Sequence, residues 1–267
     1  MSVRRTVLGQ ISRVPIVDRH VYVARHGPAR GLKRRGGLGW LPAFLPRTCE
    51  WEAEEAFLTD LEWRGLTVYD VGGDQGIFTL FFANRVGPSG SVVVIEPNPY
   101  SCRRIEQNVA LNGFGNARIV PIGLAEHKAR LDLVFPPSQP ALGTAVPSVA
   151  EQMKTEVNAS VCKVEVNALD DEMLRSNLPP PHFIKIDVEG MEYPALQGMK
   201  ATLREHRPRL SIEIHGIGIE RKKANVRQVV AFLESANYSL WHIESGRPIN
   251  SLSADDAVEG HLYCTPA

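Results

Sequence analysis

Apolar residues recur at helical spacing from Glu52 to Arg64, where Ala53, Ala56, Phe57 and Leu61 share one face. The pattern then changes. Thr67 to Val71 is short and β-rich and runs into glycines. Ile77 to Val86 is apolar and helical and is closed by Gly87-Pro-Ser-Gly90. Ser91 to Ile95 reads as a buried strand, and Pro99 to Asn112 as an amphipathic helix stopped at Asn112-Gly113. Ala117 to Ile122, Arg130 to Phe135 and Val161 to Val166 read as strands; the proline-bearing stretch from Pro136 to Ser160 reads as a long loop with room for one helix. Further strands are predicted over Phe183 to Asp187, Arg209 to His215, Tyr238 to Ile243 and His261 to Cys264, with helices over Glu192 to Arg204 and Lys222 to Ser235. Strands that alternate with helices argue for an α/β fold, a mostly parallel sheet with helices on both faces. Ligands of such sheets bind beyond the carboxyl ends of the strands, at the topological switch point. Residues placed just after each strand therefore carry the interest.

The composition fits this reading. Of 267 residues 43% are hydrophobic and 22% charged, which excludes a disordered or fibrous chain. Apolar runs such as Phe78 to Ala83 fall well short of the ~20 residues that cross a bilayer, and no signal-peptide core follows Arg4 and Arg5. Cys49, Cys102, Cys162 and Cys264 form no close pair and read as reduced thiols of a cytoplasmic protein. The net charge of zero conceals an asymmetry: residues 1–47 hold ten Lys/Arg and one acid, Asp18, whereas the remainder holds 20 basic and 29 acidic side chains. The expected division is a basic N-terminal extension over 1–47 and one domain over 48–267. The extension reads as a solvated segment lying against the acidic body, with contact to an anionic membrane surface as the alternative. Nucleic acid is not expected as a partner, since no aromatic platform accompanies the charge.

The first strand ends in Asp70-Val-Gly-Gly-Asp-Gln-Gly76, a strand–glycine–helix turn suited to a nucleotide. The dinucleotide spacing G-x-G-x-x-G is incomplete, because Val71 occupies its first position. Asp70 would also oppose a pyrophosphate. A cationic cofactor without phosphate, S-adenosyl-L-methionine, suits Asp70, Gly72, Gly73 and Gly76 better. Glu96, at the end of the second strand, is placed to accept hydrogen bonds from ribose hydroxyls. Leu124 and Ala125, after the third, are candidates to cover the adenine. Phe183-Ile-Lys-Ile-Asp-Val-Glu-Gly190 places Lys185 inside an apolar strand and Asp187 and Glu189 after it. Asp187 is expected at the cofactor's amino-acid end, with Lys185 and Glu189 toward the acceptor. On the next strand Ser211, Glu213 and His215 share a face. His215 is the first candidate for a general base, oriented by Glu213 or Glu189, and Asp187 is the second. Asp187, Glu189 and Glu213 could converge on a divalent cation, but they can equally bond sugar hydroxyls, and no metal is assigned.

These motifs together resemble the FkbM family of methyltransferases over roughly Thr67 to His215. The resemblance is carried by Val68-Tyr-Asp-Val-Gly-Gly-Asp-Gln-Gly76, Val94-Ile-Glu-Pro-Asn-Pro99, Asn108-Val-Ala-Leu-Asn112, Leu169-Asp-Asp-Glu172, Ile184-Lys-Ile-Asp-Val-Glu-Gly190 and Ile212-Glu-Ile-His215. It implies a Rossmann-like seven-stranded sheet whose last strand is antiparallel. It also implies methyl transfer to oxygen, with a small-molecule or glycan acceptor: a hydroxyl of a sugar, a glycolipid or a polyketide-type product. Two other readings stay open, a nucleotide-dependent oxidoreductase and a methyltransferase fold that binds cofactor without turnover.

Overall fold

Strand β3 (Thr67–Val71) is buried on both sides, because its even and odd residues feed two different cores. Tyr69 and Val71 join one cluster with Val93, Ile95, Ile184, Ile186, Leu210 and Ile212, while Val68 joins the other with Val92, Val94 and Phe183. That alternation on several neighbouring strands makes a central sheet covered by helices on both faces. The computed structural model of the protein describes residues 19–36, 52–135, 145–146, 150–151, 159–216 and 218–267. Most of the basic segment, Cys49 and most of the predicted loop between Pro136 and Ser160 lie outside them.

In chain order the elements are β1 (Val21–Val23), β2 (Lys33–Arg35), α1 (Glu52–Thr59), β3, α2 (Ile77–Val86), β4 (Ser91–Ile95), α3 (Pro99–Leu111), β5 (Ala117–Val120), β6 (Gly123–Leu124), β7 (Ala129–Phe135) and β8 (Ser160–Asn167). They continue with α4 (Leu169–Ser176), β9 (Phe183–Ile186), α5 (Glu192–Gln197), α6 (Lys200–His206), β10 (Arg209–Glu213), α7 (Ile219–Ser235), β11 (Tyr238–His242), β12 (Arg247–Ile249) and β13 (His261–Pro266). The main sheet runs β12-β11-β13-β10-β9-β3-β4-β5. From β5 to β10 neighbours are parallel, and β13 enters antiparallel between β10 and β11. The chain's last strand is antiparallel, as expected, but the sheet holds eight strands instead of seven: the short β12 adds an edge that its three residues do not announce. The chain order reverses between β3 and β9, the switch point at which a ligand crevice opens.

Three local features depart from the sequence expectation. The helix predicted from Glu192 to Arg204 is two helices, because at Gly198 the backbone of Ala125 passes so close that a Cβ would lie 2.1 Å from its carbonyl oxygen. Asp170 then caps α6, accepting from the N–H groups of Ala201 and Thr202 at 2.8 Å each. The strands β6, β8 and β7 form a separate three-stranded sheet beside the main one. Finally, part of the basic segment is built into the body. Strands β1 and β2 pair antiparallel, Tyr22 and Ala24 join the core beneath α2 and α3, and Asn108 and Asn112 of α3 hold the backbone of Arg35 and Lys33 at 2.8 Å.

Candidate active site

The glycine turn after β3 touches the turn after β9. Gly72 has φ +86°, and a Cβ there would lie 1.7 Å from the carbonyl oxygen of Asp187, so no other residue fits without moving one turn. Gly76 also has positive φ and opens α2. Among the described residues five non-glycine residues have positive φ, and Asn177, Arg207 and Asn237 lie at or just past helix C-termini. The other two, Asp74 and Glu189, sit in the paired turns at the crevice, a strained conformation held by its surroundings.

Glu96, at the end of β4, is fixed by two backbone donors: Asp74 N–H gives to Oε2 at 3.0 Å and Asn98 N–H to Oε1 at 2.7 Å. Burial pushes its carboxyl up to about 8. Asp70 is buried behind the turn, accepting from the Thr79 hydroxyl, and burial raises its carboxyl to about 6.

Asp70, Lys185 and Ser211 stand opposite one another on β3, β9 and β10, a polar row on an otherwise apolar face. Lys185 is 1% exposed. Its Nζ lies 3.1 Å from Asp187 Oδ2, 3.8 Å from Glu54 Oε1 of α1 and 4.6 Å from the centre of the Phe78 ring. Burial opposes its charge, but Asp187 and Glu54 outweigh it and hold the ammonium above its usual range. Lys185 thus braces Asp187 from behind instead of facing an acceptor.

The ring of His215 lies among four carboxylates. Its Nδ1 is 2.9 Å from Glu192 Oε1, and its Nε2 is 3.3 Å from Glu213, 3.8 Å from Asp187 and 4.0 Å from Glu189. Glu192 is wholly buried and fixed by Gly190 N–H at 3.0 Å and the Asn225 amide at 2.6 Å. Burial disfavours a charged ring, but the bonds to Glu192 and Glu213 and the charges of Glu189 and Asp187 prevail and hold it well above the ordinary histidine range. An imidazole so placed favours its protonated form. Burial pushes Glu189 up to about 7. Glu213 is held low: burial raises it, but hydrogen bonds from His215 and His261 overcome that. His261, on β13, spans Glu244 at 2.6 Å and, on its other side, Glu54 at 3.3 Å and Glu213 at 3.5 Å.

One cleft collects these groups. Of the residues expected from the sequence, Gly72, Glu96, Leu124, Asp187, Glu189, Glu213 and His215 line it; Asp70, Gly73, Gly76, Ala125 and Lys185 do not. Ala125 is turned into the fold, its N–H bonded to Asn167 O at 3.0 Å. Asp74, Asn98 and Ser101 complete the Glu96 end, and Leu133, Val164 and Val166 of the small sheet supply an apolar wall. Among the described residues the lining contains five carboxylates and one histidine but neither Lys nor Arg. Asp187, Glu213 and His215 offer ligand atoms within 4.8 Å of one another, but Lys185 and His261 already meet these carboxylates with positive charge. Sequence reasoning missed Glu192, Glu54 and His261. Glu192 reads as an ordinary acidic helix start, Glu54 as one acid among several on α1, and His261 as a residue of an alternating strand.

Comparison with known proteins bears on this cleft. The sequence model of the Methyltransferase FkbM domain matches residues 70–240. The chain belongs to the FkbM methyltransferase family. "Methyltransferase 1" of Beauveria bassiana is 28% identical over 144 residues, covering 49% of this chain and 57% of that protein. The "Hexuronic acid methyltransferase AglP" of Haloferax volcanii is 26% identical over 170 residues, 63% of this chain and 61% of that protein. The chain thus spans about six-tenths of the length of these curated relatives. The crystal structure of Methyltransferase FkbM from Methylobacillus flagellatus KT superposes with a TM-score of 0.51 at 18% identity, over 77% of this chain and 45% of that one, and shares the fold. As an FkbM member the chain has the Rossmann-like α/β architecture expected of it. No helix among the described residues is long and apolar enough to cross a membrane. Cys102, Cys162 and Cys264 are free thiols.

Proposed function

We propose that this FkbM-family protein transfers a methyl group from S-adenosyl-L-methionine to an oxygen of a small-molecule or glycan acceptor. The observation that carries the reading is the acidity of the cleft: acidic side chains at both ends and, among the described residues, no Lys or Arg. Such a lining repels a pyrophosphate and so disfavours a nicotinamide dinucleotide. It suits a nucleoside that bears a sulfonium and an ammonium. Glu96 and the Gly72–Asp74 turn would hold the ribose, Leu124 and the apolar wall the adenine, and Asp187 the amino-acid end. Bound there, the cofactor supplies an activated, electrophilic methyl group.

The chain's own residues then have to orient the acceptor and accept its proton. Orientation can contribute about 7–11 kcal/mol and a positioned base about 10²–10⁴-fold. Glu189 is our choice of base. It lies on the cleft, and its carboxyl titrates at about 7, where proton affinity and availability are balanced at neutral pH. His215, fixed by Glu192, holds Glu189, Asp187 and Glu213 in place as an imidazolium. Several carboxylates around one cleft also suit an acceptor rich in hydroxyls, and one relative is named for hexuronic acid; we propose a sugar or glycolipid hydroxyl, with a polyketide-type alcohol as the alternative.

Isothermal titration with S-adenosylhomocysteine, followed by product analysis across a glycan panel, tests this. Glu96→Ala should weaken cofactor binding by roughly 1–3 kcal/mol, through loss of the hydrogen bonds that Glu96 would make to the ribose hydroxyls. Binding of NADH but not of S-adenosylhomocysteine would remove the reading.

A further inference from the structure

At the back of the cleft six ionisable side chains close into a ring in which acid and base alternate. Asp187 meets Lys185 at 3.1 Å, Lys185 meets Glu54 at 3.8 Å, and Glu54 meets His261 at 3.3 Å. His261 then meets Glu213 at 3.5 Å, Glu213 meets His215 at 3.3 Å, and His215 returns to Asp187 at 3.8 Å. Asp187, Glu213 and His215 face the cleft. Lys185, Glu54 and His261 lie behind them, each at most 3% exposed. The family model matches residues 70–240, so Glu54 and His261 lie outside the matched stretch.

Glu54 is the acid of the buried half. It lies on α1 one turn before Leu58, on the face that packs into the core, where an isolated carboxylate is costly. The Ser211 hydroxyl donates to its Oε1 at 3.0 Å, Lys185 approaches the same oxygen and His261 approaches Oε2. Burial raises its carboxyl, and Lys185 and His261 oppose the rise. Buried ion pairs are seldom more stabilising than apolar side chains of the same volume, so stability alone does not account for a closed ring of them. What the ring supplies is position. Lys185 stands between Asp187 and Glu54. His261 stands between Glu213 and Glu54 on its Nε2 side, while Glu244 holds its Nδ1 at 2.6 Å. Glu54 thereby draws the ammonium and the imidazole back from the cleft acids that they also meet.

We propose that Glu54 is a positioning residue for methyl transfer, acting through Lys185 on Asp187 and through His261 on Glu213. The proposal rests on the reading of the cleft as the S-adenosyl-L-methionine site, with Asp187 at the cofactor's amino-acid end. Without the acid of Glu54, Lys185 and His261 turn to the cleft carboxylates instead. Asp187 then offers less to the ammonium of the cofactor.

Calorimetric titration of S-adenosylhomocysteine into the full chain tests this. Glu54→Gln keeps the size of the side chain and an oxygen to accept from Ser211, and removes the acid. Its affinity should fall about fivefold or more. On a Lys185→Met background the same substitution should change affinity less than about twofold, because the group that transmits the effect is gone. Thermal melting checks that each variant is folded; a purely structural role would lower the melting temperature and leave the affinity of the folded protein unchanged. Unchanged affinity in Glu54→Gln, or an equal loss on both backgrounds, overturns the proposal and leaves the cofactor reading standing. No binding by the wild type removes both. A measurement on the wild type alone covers the case in which the variants do not fold. His261 is buried behind the cleft, so saturation with S-adenosylhomocysteine should shift its ring signals in proton–nitrogen NMR spectra through Glu213. A His261 ring that stays unshifted while the His215 ring shifts overturns the linkage.

Discussion

At the scale of single residues, the neighbours of His215 bear on which group takes the acceptor's proton. Read along the chain, His215 is the group whose ordinary pKa suits it to take a proton. Among Glu192, Glu213, Asp187 and Glu189 its pKa is held well above that ordinary value, and we propose Glu189, raised to about 7, as the base. The two roles separate in pH–rate profiles. With a suitable acceptor, the wild-type rate should rise through about pH 7 as Glu189 loses its proton. Glu189→Gln should abolish that rise and lower the rate by about 10²-fold or more. His215→Asn should keep the rise but move it to higher pH, because the positive ring beside Glu189 lowers its pKa. The reverse pattern, a rise that survives Glu189→Gln and vanishes in His215→Asn, would return the base to the histidine.

At the scale of elements, the site depends on two turns meeting. The β3–α2 turn carries Asp74 to Glu96, and the β9–α5 turn carries Asp187 and Glu189 to His215. Gly72 is where they touch. Gly72→Ala adds the penalty of a left-handed residue, about 1–2 kcal/mol, to an overlap with Asp187 that forces backbone to move. We expect at least about 2 kcal/mol of lost stability in denaturant unfolding, with cofactor affinity reduced as well. A Gly72→Ala protein that unfolds at the wild-type midpoint and binds S-adenosylhomocysteine normally would show that the turns are not so tightly joined. Gly198 does a similar job away from the site, splitting a predicted helix where the chain passes close to Ala125.

At the scale of the whole molecule, the buried acids of the cleft and of the glycine turn set how stability responds to pH. Burial raises Asp70 and Asp74 to about 6, Glu189 to about 7 and Glu96 to about 8. Each therefore binds protons more tightly folded than unfolded, and its contribution is complete below the ordinary carboxylate range and is lost as pH rises through the folded value. His261, raised to about 10, acts in the same direction above the ordinary histidine range. The cofactor-free protein should melt at progressively lower temperature from about pH 5.5 to about pH 9. Glu96→Gln should flatten the upper half of that curve. A melting temperature that climbs across this interval would contradict the burial of these acids.

The residue pattern was enough to specify the alternation of strands and helices, and with it the α/β class, the position of the crevice and most of its acids. It could do so because period-two and period-3.6 patterns are local, and because an acid or glycine at a strand's carboxyl end is brought to the crevice by topology alone. Glu96, Asp187, Glu189, Glu213 and His215 were legible for that reason. What lies behind them is set by folding. Glu54 on α1 and His261 on β13 come from opposite ends of the chain to meet Lys185 and Glu213, and no local pattern records such a meeting. The same holds for the hairpin, whose three-residue strands gain their order from packing on α3. It holds also for the protonation of His215, which depends on the summed field of side chains drawn together by folding and not on the imidazole alone.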